Sequence, residues 1–191
     1  MESKSIMFNA NNKRVKKCLT EHYKKNKEKK RVEAENWTFT LDDYLHENQL
    51  NNIKKIIESD YKFNNQTTKI CLQQINKKIY GYKQQDMIKK LLNNEKFITL
   101  ESITNKMVEC ELKCYYCCCE MNVLYDISRE MKQWTVDRIN NDLGHNTDNY
   151  YLACLECNLK RRRRNDDKFL FTKRMKLIKV CETNNTDSSL V

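Results

Sequence analysis

The sequence predicts an α+β fold that is mainly helical, with a helical N-terminal region followed by a small unit of two strands and a helix. Three observations carry this. The 191 residues include no Pro and only two Gly, Gly81 and Gly144, which disfavours a sheet-rich fold with its many tight turns. Apolar residues recur at helical spacing between residues 36 and 108. At Cys110 the composition changes: cysteines and aromatics crowd together, and two strand-like runs follow. The expected division is a basic polar arm (1–35), a helical region (36–108), a compact α+β unit (109–180) and a disordered polar tail (181–191).

Each element has a local reason. The arm carries Lys13, Arg14, Lys16, Lys17, Lys24, Lys25, Lys27, Lys29, Lys30 and Arg31, and reads either as a solvated charge run or as a strip that tracks a polyanion. Thr40 with Asp43 resembles a helix start, ahead of Leu41, Tyr44, Leu45, Leu50, Ile53, Ile56 and Ile57. A second stripe, Ile70, Leu72, Ile75, Ile79 and Tyr80, is expected to end at Gly81. Met87, Ile88, Leu91 and Leu92 form a third, and Thr99 is placed to cap a fourth through Leu100, Ile103, Met107 and Val108. All four are expected core faces. The strand-like runs are Gln133-Trp134-Thr135-Val136-Asp137 and Tyr150-Tyr151-Leu152-Ala153, and one basic helix is expected after Cys157.

The formal charge of +10 points to a polyanionic partner, because a basic protein gains affinity by releasing condensed counterions. Nucleic acid is the expected partner and an acidic membrane surface the lesser one. No run reaches the roughly 18 apolar residues of a membrane span, and no apolar signal core opens the chain, so an intracellular, reducing compartment is expected. The ten cysteines then read as metal ligands more readily than as disulfides. Cys114-Tyr115-Tyr116-Cys117 and Cys154-Leu155-Glu156-Cys157 share a C-x-x-C spacing, which lets a tight turn aim two thiolates at one ion. Two such pairs complete a closed tetrahedral zinc site of the structural kind. Cys110, Cys118 and Cys119 stand close enough in sequence for a shift of ligand. Cys18, Cys71 and Cys181 read as ordinary reduced thiols.

Between and after the cysteine pairs lie Val136-Asp137-Arg138-Ile139-Asn140-Asn141, Gly144-His145-Asn146-Thr147-Asp148-Asn149 and Cys157-Asn158-Leu159-Lys160-Arg161. With these the chain resembles the zinc-bound ββα-metal nucleases of the HNH family, in particular phage and large-DNA-virus members with a D-R-I-[D/N]-N run. The resemblance covers roughly residues 110–165 and makes 109–180 an HNH-like domain. It implies that Asp137 and Asn158 hold a catalytic Mg²⁺ or Mn²⁺, that Asn149 pins the intervening loop, and that the substrate is DNA. In that family a His general base usually follows the strand Asp; here the position is Arg138, which stays protonated at neutral pH and cannot accept a proton. Arg138 suits a phosphate clamp instead. His145 is the one histidine of the domain and reads either as the base or as a loop residue against DNA or water, while His22 and His46 read as structural or surface residues. Lys160, Arg161, Arg162, Arg163 and Arg164 would contact phosphates and also resemble a nuclear-import patch, consistent with a nucleus or a viral replication site.

Two functions from different classes follow as expectations. One is a metal-dependent DNA endonuclease; the other is the same zinc scaffold with weakened or lost catalysis, holding DNA for replication or recombination. A cross-brace interaction domain is a weaker third, since it needs eight ligands and leaves Asp137, Asn149 and Asn158 without a role. The helical stripes also offer a face for a homodimer.

Overall fold

A computed structural model describes residues 29–58 and 65–175. Among these the chain is α+β, with five α-helices and one two-stranded sheet: α1 (His46–Ile57), α2 (Gln66–Ile88), α3 (Leu100–Glu109), β1 (Trp134–Arg138), β2 (Tyr150–Cys154), α4 (Leu155–Arg161) and α5 (Asp166–Arg174). No helix among the described residues is long and apolar enough to cross a membrane. Residues 1–28, which hold most of the basic arm with Cys18 and His22, and the tail from 176 with Cys181 lie outside the described residues.

The helix starts follow capping chemistry. Thr40 and Asp43 form a capping box over a 3₁₀ turn, Leu41–Tyr44, that leads into α1. The Asn65 side chain accepts from Thr67 N at 2.9 Å to open α2. Thr99 and Ser102 cap α3 reciprocally, at 3.1 and 2.9 Å. Helix α1 packs between α2 and α3, burying Ile53 and Ile56 against Ile70, Ile75, Ile103 and Met107. Gln49 is fully buried in this layer, and its amide oxygen accepts from Val123 N (2.7 Å) and Leu124 N (2.9 Å), the chain leading to β1. One hydrophobic core runs from these helices through Met121, Leu124, Trp134 and Leu152 to Phe169.

Three expectations change. Helix α2 does not stop at Gly81 but runs on to Ile88. Gly in a helix costs about 1 kcal/mol relative to Ala, and the last two turns recover it through Tyr82, whose hydroxyl accepts from Val136 N at 3.0 Å, and through buried Asp86. Met87 and Ile88 are exposed and not core, as are Leu41, Leu45, Ile57 and Tyr80. The basic helix after Cys157 is two helices, broken at Arg162 (φ 56°) and restarted by Asn165, which accepts from Lys168 N at 3.0 Å. The two strands fall within one residue of their expected ends and pair antiparallel, with Val136 opposite Leu152 and Asp137 opposite Tyr151.

The last residues of the basic arm are docked. Lys30 bridges Ile127, and the Arg31 guanidinium donates to Tyr125 O (3.0 Å) and Gln74 Oε1 (2.6 Å) while lying over the Trp37 and Tyr125 rings.

Candidate metal centre and the site around it

Turns that present sulfur to a common point build the centre. Cys114 precedes a tight turn in which Cys118 N donates to Cys114 O at 2.9 Å, and Cys118 itself takes the left-handed conformation (φ 57°). The second pair straddles the start of α4, where the Cys154 sulfur accepts from Cys157 N at 3.5 Å and acts as helix cap. The Sγ atoms of Cys114, Cys117, Cys154 and Cys157 all lie within 4.8 Å of one another, and Cys117 and Cys154 are 3.8 Å apart. Zn–S bonds of about 2.3 Å in a tetrahedron require S···S edges of about 3.8 Å. The cluster therefore has the size and donor set of a Cys₄ metal site. Three of the four residues are buried; Cys117 is exposed.

The thiols perturb one another accordingly. Hydrogen bonds from the Cys114 and Cys157 thiols hold Cys154 far below the ordinary thiol range, at about 3, while hydrogen bonding to Cys114 and Cys154 pushes Cys157 up. The crowding thus favours one thiolate, at Cys154, and keeps Cys157 protonated; a bound cation would displace that proton, since thiolate is the form that binds metal. Cys119 adjoins Cys117 and Cys154, and burial raises its thiol.

Asp137 sits near the end of β1 and is 3% exposed. Its Oδ2 accepts from the Tyr116 hydroxyl at 2.7 Å, and its Oδ1 accepts from Arg161 at 2.7 Å. Burial draws this carboxyl up from its ordinary value, opposed by Tyr116, Arg161 and Arg138. Tyr116 lies inside the first cysteine turn and Arg161 at the end of α4, so both halves of the cluster contribute a partner to Asp137. Arg161 is 1% exposed and also donates to Arg138 O (2.7 Å) and Ile139 O (2.8 Å). The run from Lys160 to Arg164 is thus not one DNA-facing surface. Arg161 turns inward as a clamp on the end of β1, Lys160 pairs with Glu156, and Arg163 pairs with Asp142 at 3.0 Å. Arg162, Arg163 and Arg164 are exposed.

Asn158 ties α4 to β1. Its amide nitrogen donates to Thr135 Oγ1 at 3.0 Å and to Val136 O at 3.3 Å, and the amide oxygen forms the other end of the group. Asn149 holds the loop between the strands: its oxygen accepts from Asn140 N (2.8 Å), and its nitrogen donates to Asn140 O and Gly144 O (both 3.0 Å). Arg138 donates to Leu143 O of the same loop at 2.9 Å and lines an open cleft with Lys89, Leu91, Asn141, Asp142 and Arg163.

His145 lies on that loop but is buried, at 4% exposed. Its Nδ1 is 2.7 Å from Asp86 Oδ1, its backbone N donates to Asp86 Oδ2 at 2.6 Å, and its ring stacks on Tyr82 at 4.6 Å. Sequence reasoning missed Tyr116, Asp86 and the inward role of Arg161. His46, the helical-region histidine, approaches Glu111 O at 3.0 Å with Nε2, a structural contact.

Gly144 is where the loop touches the end of α2. A Cβ there would stand 2.5 Å from Leu91 O and 2.8 Å from Asp86 Oδ2. Gly144→Ala is therefore expected to destabilise the fold by about 1–3 kcal/mol, as overpacking does. Urea unfolding checks this, and an unchanged midpoint would mean that the loop does not rest on α2.

The chain matches no family model, no curated protein and no solved structure.

Proposed function

We propose that this chain is a DNA endonuclease of the HNH type, in which the four cysteines hold zinc and Asp137 and Asn158 are the ligands of a catalytic Mg²⁺ or Mn²⁺. The observation that carries this reading is the junction of β1 and α4. The Asn158 amide nitrogen bonds Thr135 Oγ1 and the carbonyl of Val136, the residue before Asp137, so α4 is tied to the part of β1 that carries the carboxylate, next to the cysteine cluster. The Asp137 carboxylate and the Asn158 amide oxygen are hard oxygen donors of the kind Mg²⁺ takes. Each Asp137 oxygen accepts one hydrogen bond, and a carboxylate offers about four acceptor positions, so acceptor capacity remains on both oxygens. When bound, the ion would neutralise charge on the scissile phosphate and the leaving oxygen. The protein's own part is to bind and orient DNA. Arg138 and the cleft it shares with Lys89 and Arg163 offer fixed positive charge, and Arg162 and Arg164 extend it.

The buried Asp137–Arg161 pair favours a second reading, a DNA-binding module without catalysis. A carboxylate neutralised by a guanidinium attracts a cation less strongly. Incubating supercoiled, branched and single-stranded DNA with Mg²⁺ or Mn²⁺ separates the two. Wild type is expected to nick or cut, and Asn158→Ala and Asp137→Asn to be slower by about 10²-fold or more, the scale of a lost charge-stabilising group. Both variants should still retain DNA in a shift assay. Binding without cutting under either ion would leave the module reading.

A further inference from the structure

We infer that Asp86, at the far end of α2, is the positioning residue for His145 and that this pair supplies the general base absent at Arg138. The inference rests on the nuclease reading. It begins from the two contacts between these residues, since one carboxylate grips both the backbone N–H and the ring Nδ1 of His145. Bound this way, Nδ1 is the donor and Nε2 keeps its lone pair, the tautomer a base needs. Tyr82 fixes the plane of the ring by stacking, and its hydroxyl is bonded to Val136 N, one residue before Asp137. Through Tyr82 the imidazole is thereby joined to the strand that carries the proposed metal ligand. Arg138 is tied to the His145 loop through Leu143 O, and its charge acts on the imidazole.

A purely structural latch would need none of this chemistry. An apolar contact would fasten the loop to α2 without enclosing a carboxylate that is 0% exposed beside an imidazole. The charged and titratable groups around His145 are Asp86 and Tyr82 from α2, Lys89 at the C-cap of that helix, and Arg138 from β1. Burial holds the imidazole below the ordinary histidine value against the opposite pull of Asp86, so the ring is neutral and able to take a proton at pH 7. In the step itself a water O–H proton passes to Nε2. The water oxygen bonds phosphorus with the freed pair, and the bond from phosphorus to the leaving sugar oxygen breaks. That oxygen keeps the bonding pair and takes a proton from solvent.

The test uses the full zinc-loaded chain, plasmid DNA and Mg²⁺, comparing wild type, His145→Ala and Asp86→Asn across pH. His145→Ala is expected to lose about 10²–10⁴-fold in kcat, the usual worth of a general base, with partial rescue by added imidazole. A melt of His145→Ala that imidazole leaves unchanged separates this rescue from simple filling of the cavity the ring vacates. Asp86→Asn keeps the side-chain shape, should lose at least about tenfold within that range, and should move the acid limb of the profile to lower pH. The sign follows because removing the carboxylate removes the one influence that raises His145. Imidazole ¹⁵N spectra, with only three histidines to resolve, should show Nδ1 protonated in wild type at pH 7 and mixed tautomers in Asp86→Asn. Cleavage by His145→Ala at the wild-type rate would overturn the inference and leave the nuclease reading standing. An Asp86→Asn variant with an unchanged pH profile and tautomer would reduce Asp86 to a latch and also overturn it. A wild type that cuts nothing would remove the nuclease reading and the inference together.

Discussion

Removing metal from the four cysteines is expected to unfold the strand pair and α4, the largest single effect open to this chain. Structural zinc contributes about 10–16 kcal/mol of binding free energy at neutral pH in small metallo-domains. Little else replaces it here, because the sheet has only two strands and α4 is seven residues long. A two-stranded sheet on its own is marginal in water. Treatment with a strong chelator, or Cys154→Ser, should therefore cost circular dichroism and near-ultraviolet signal from Trp134, which is fully buried at the start of β1. Helices α1 to α3 share the core, so they should lose stability too and not persist as an untouched unit. Metal analysis should give about one zinc per chain after dialysis. A melt unchanged by chelation would mean that the cysteines are merely close neighbours.

Arg161→Ala is expected to destabilise the fold by about 3–5 kcal/mol, the cost of leaving a buried charge without its partner. Asp137 would keep only Tyr116, and the carbonyls of Arg138 and Ile139 would lose their donor. Asp137→Asn should cost less, because Arg161 keeps the carbonyls of Arg138 and Ile139 as acceptors and the amide oxygen still accepts one hydrogen bond. The double variant Asp137→Asn with Arg161→Ala should be less destabilised than the two single changes summed, since the residues touch and their effects couple. Urea unfolding of the four proteins forms the cycle. A loss below about 1 kcal/mol in Arg161→Ala would place this arginine with exposed pairs, whose worth is small, and return it to the DNA-facing set.

Which features could be read beforehand follows from how local their causes are. The two C-x-x-C pairs, the strand runs around Val136 and Leu152, and the Thr99 cap each depend on a few adjacent residues, and each was legible. The coarse α+β class followed from the same signals. The continuation of α2 past Gly81 was not, because glycine marks a helix end only when nothing downstream holds the helix. Here Tyr82 and Asp86 hold it through a strand and a loop more than 50 residues away in sequence. Arg161 shows the same limit. In a row of five basic residues, helical geometry decides which one turns inward, and the partner that rewards it, Asp137, lies across the sheet. Asp86 had no local mark at all, since an isolated acidic residue near a helix end is usually solvated. The break at Arg162 was readable, as Asn165 followed by Asp166 and Asp167 is a capped helix start; the arginine run drew the reading toward charge and away from it.

The central claim is that a cysteine-held metal scaffold presents a second, oxygen-liganded ion site between Asp137 and Asn158. Mn²⁺ binding followed by electron paramagnetic resonance, on zinc-loaded protein in the presence of duplex DNA, tests it most directly. The account predicts one bound Mn²⁺ per chain beyond what the DNA holds alone, lost in Asn158→Ala while zinc content and DNA binding stay unchanged. Equal Mn²⁺ binding by wild type and Asn158→Ala, or none above the DNA background, would contradict it.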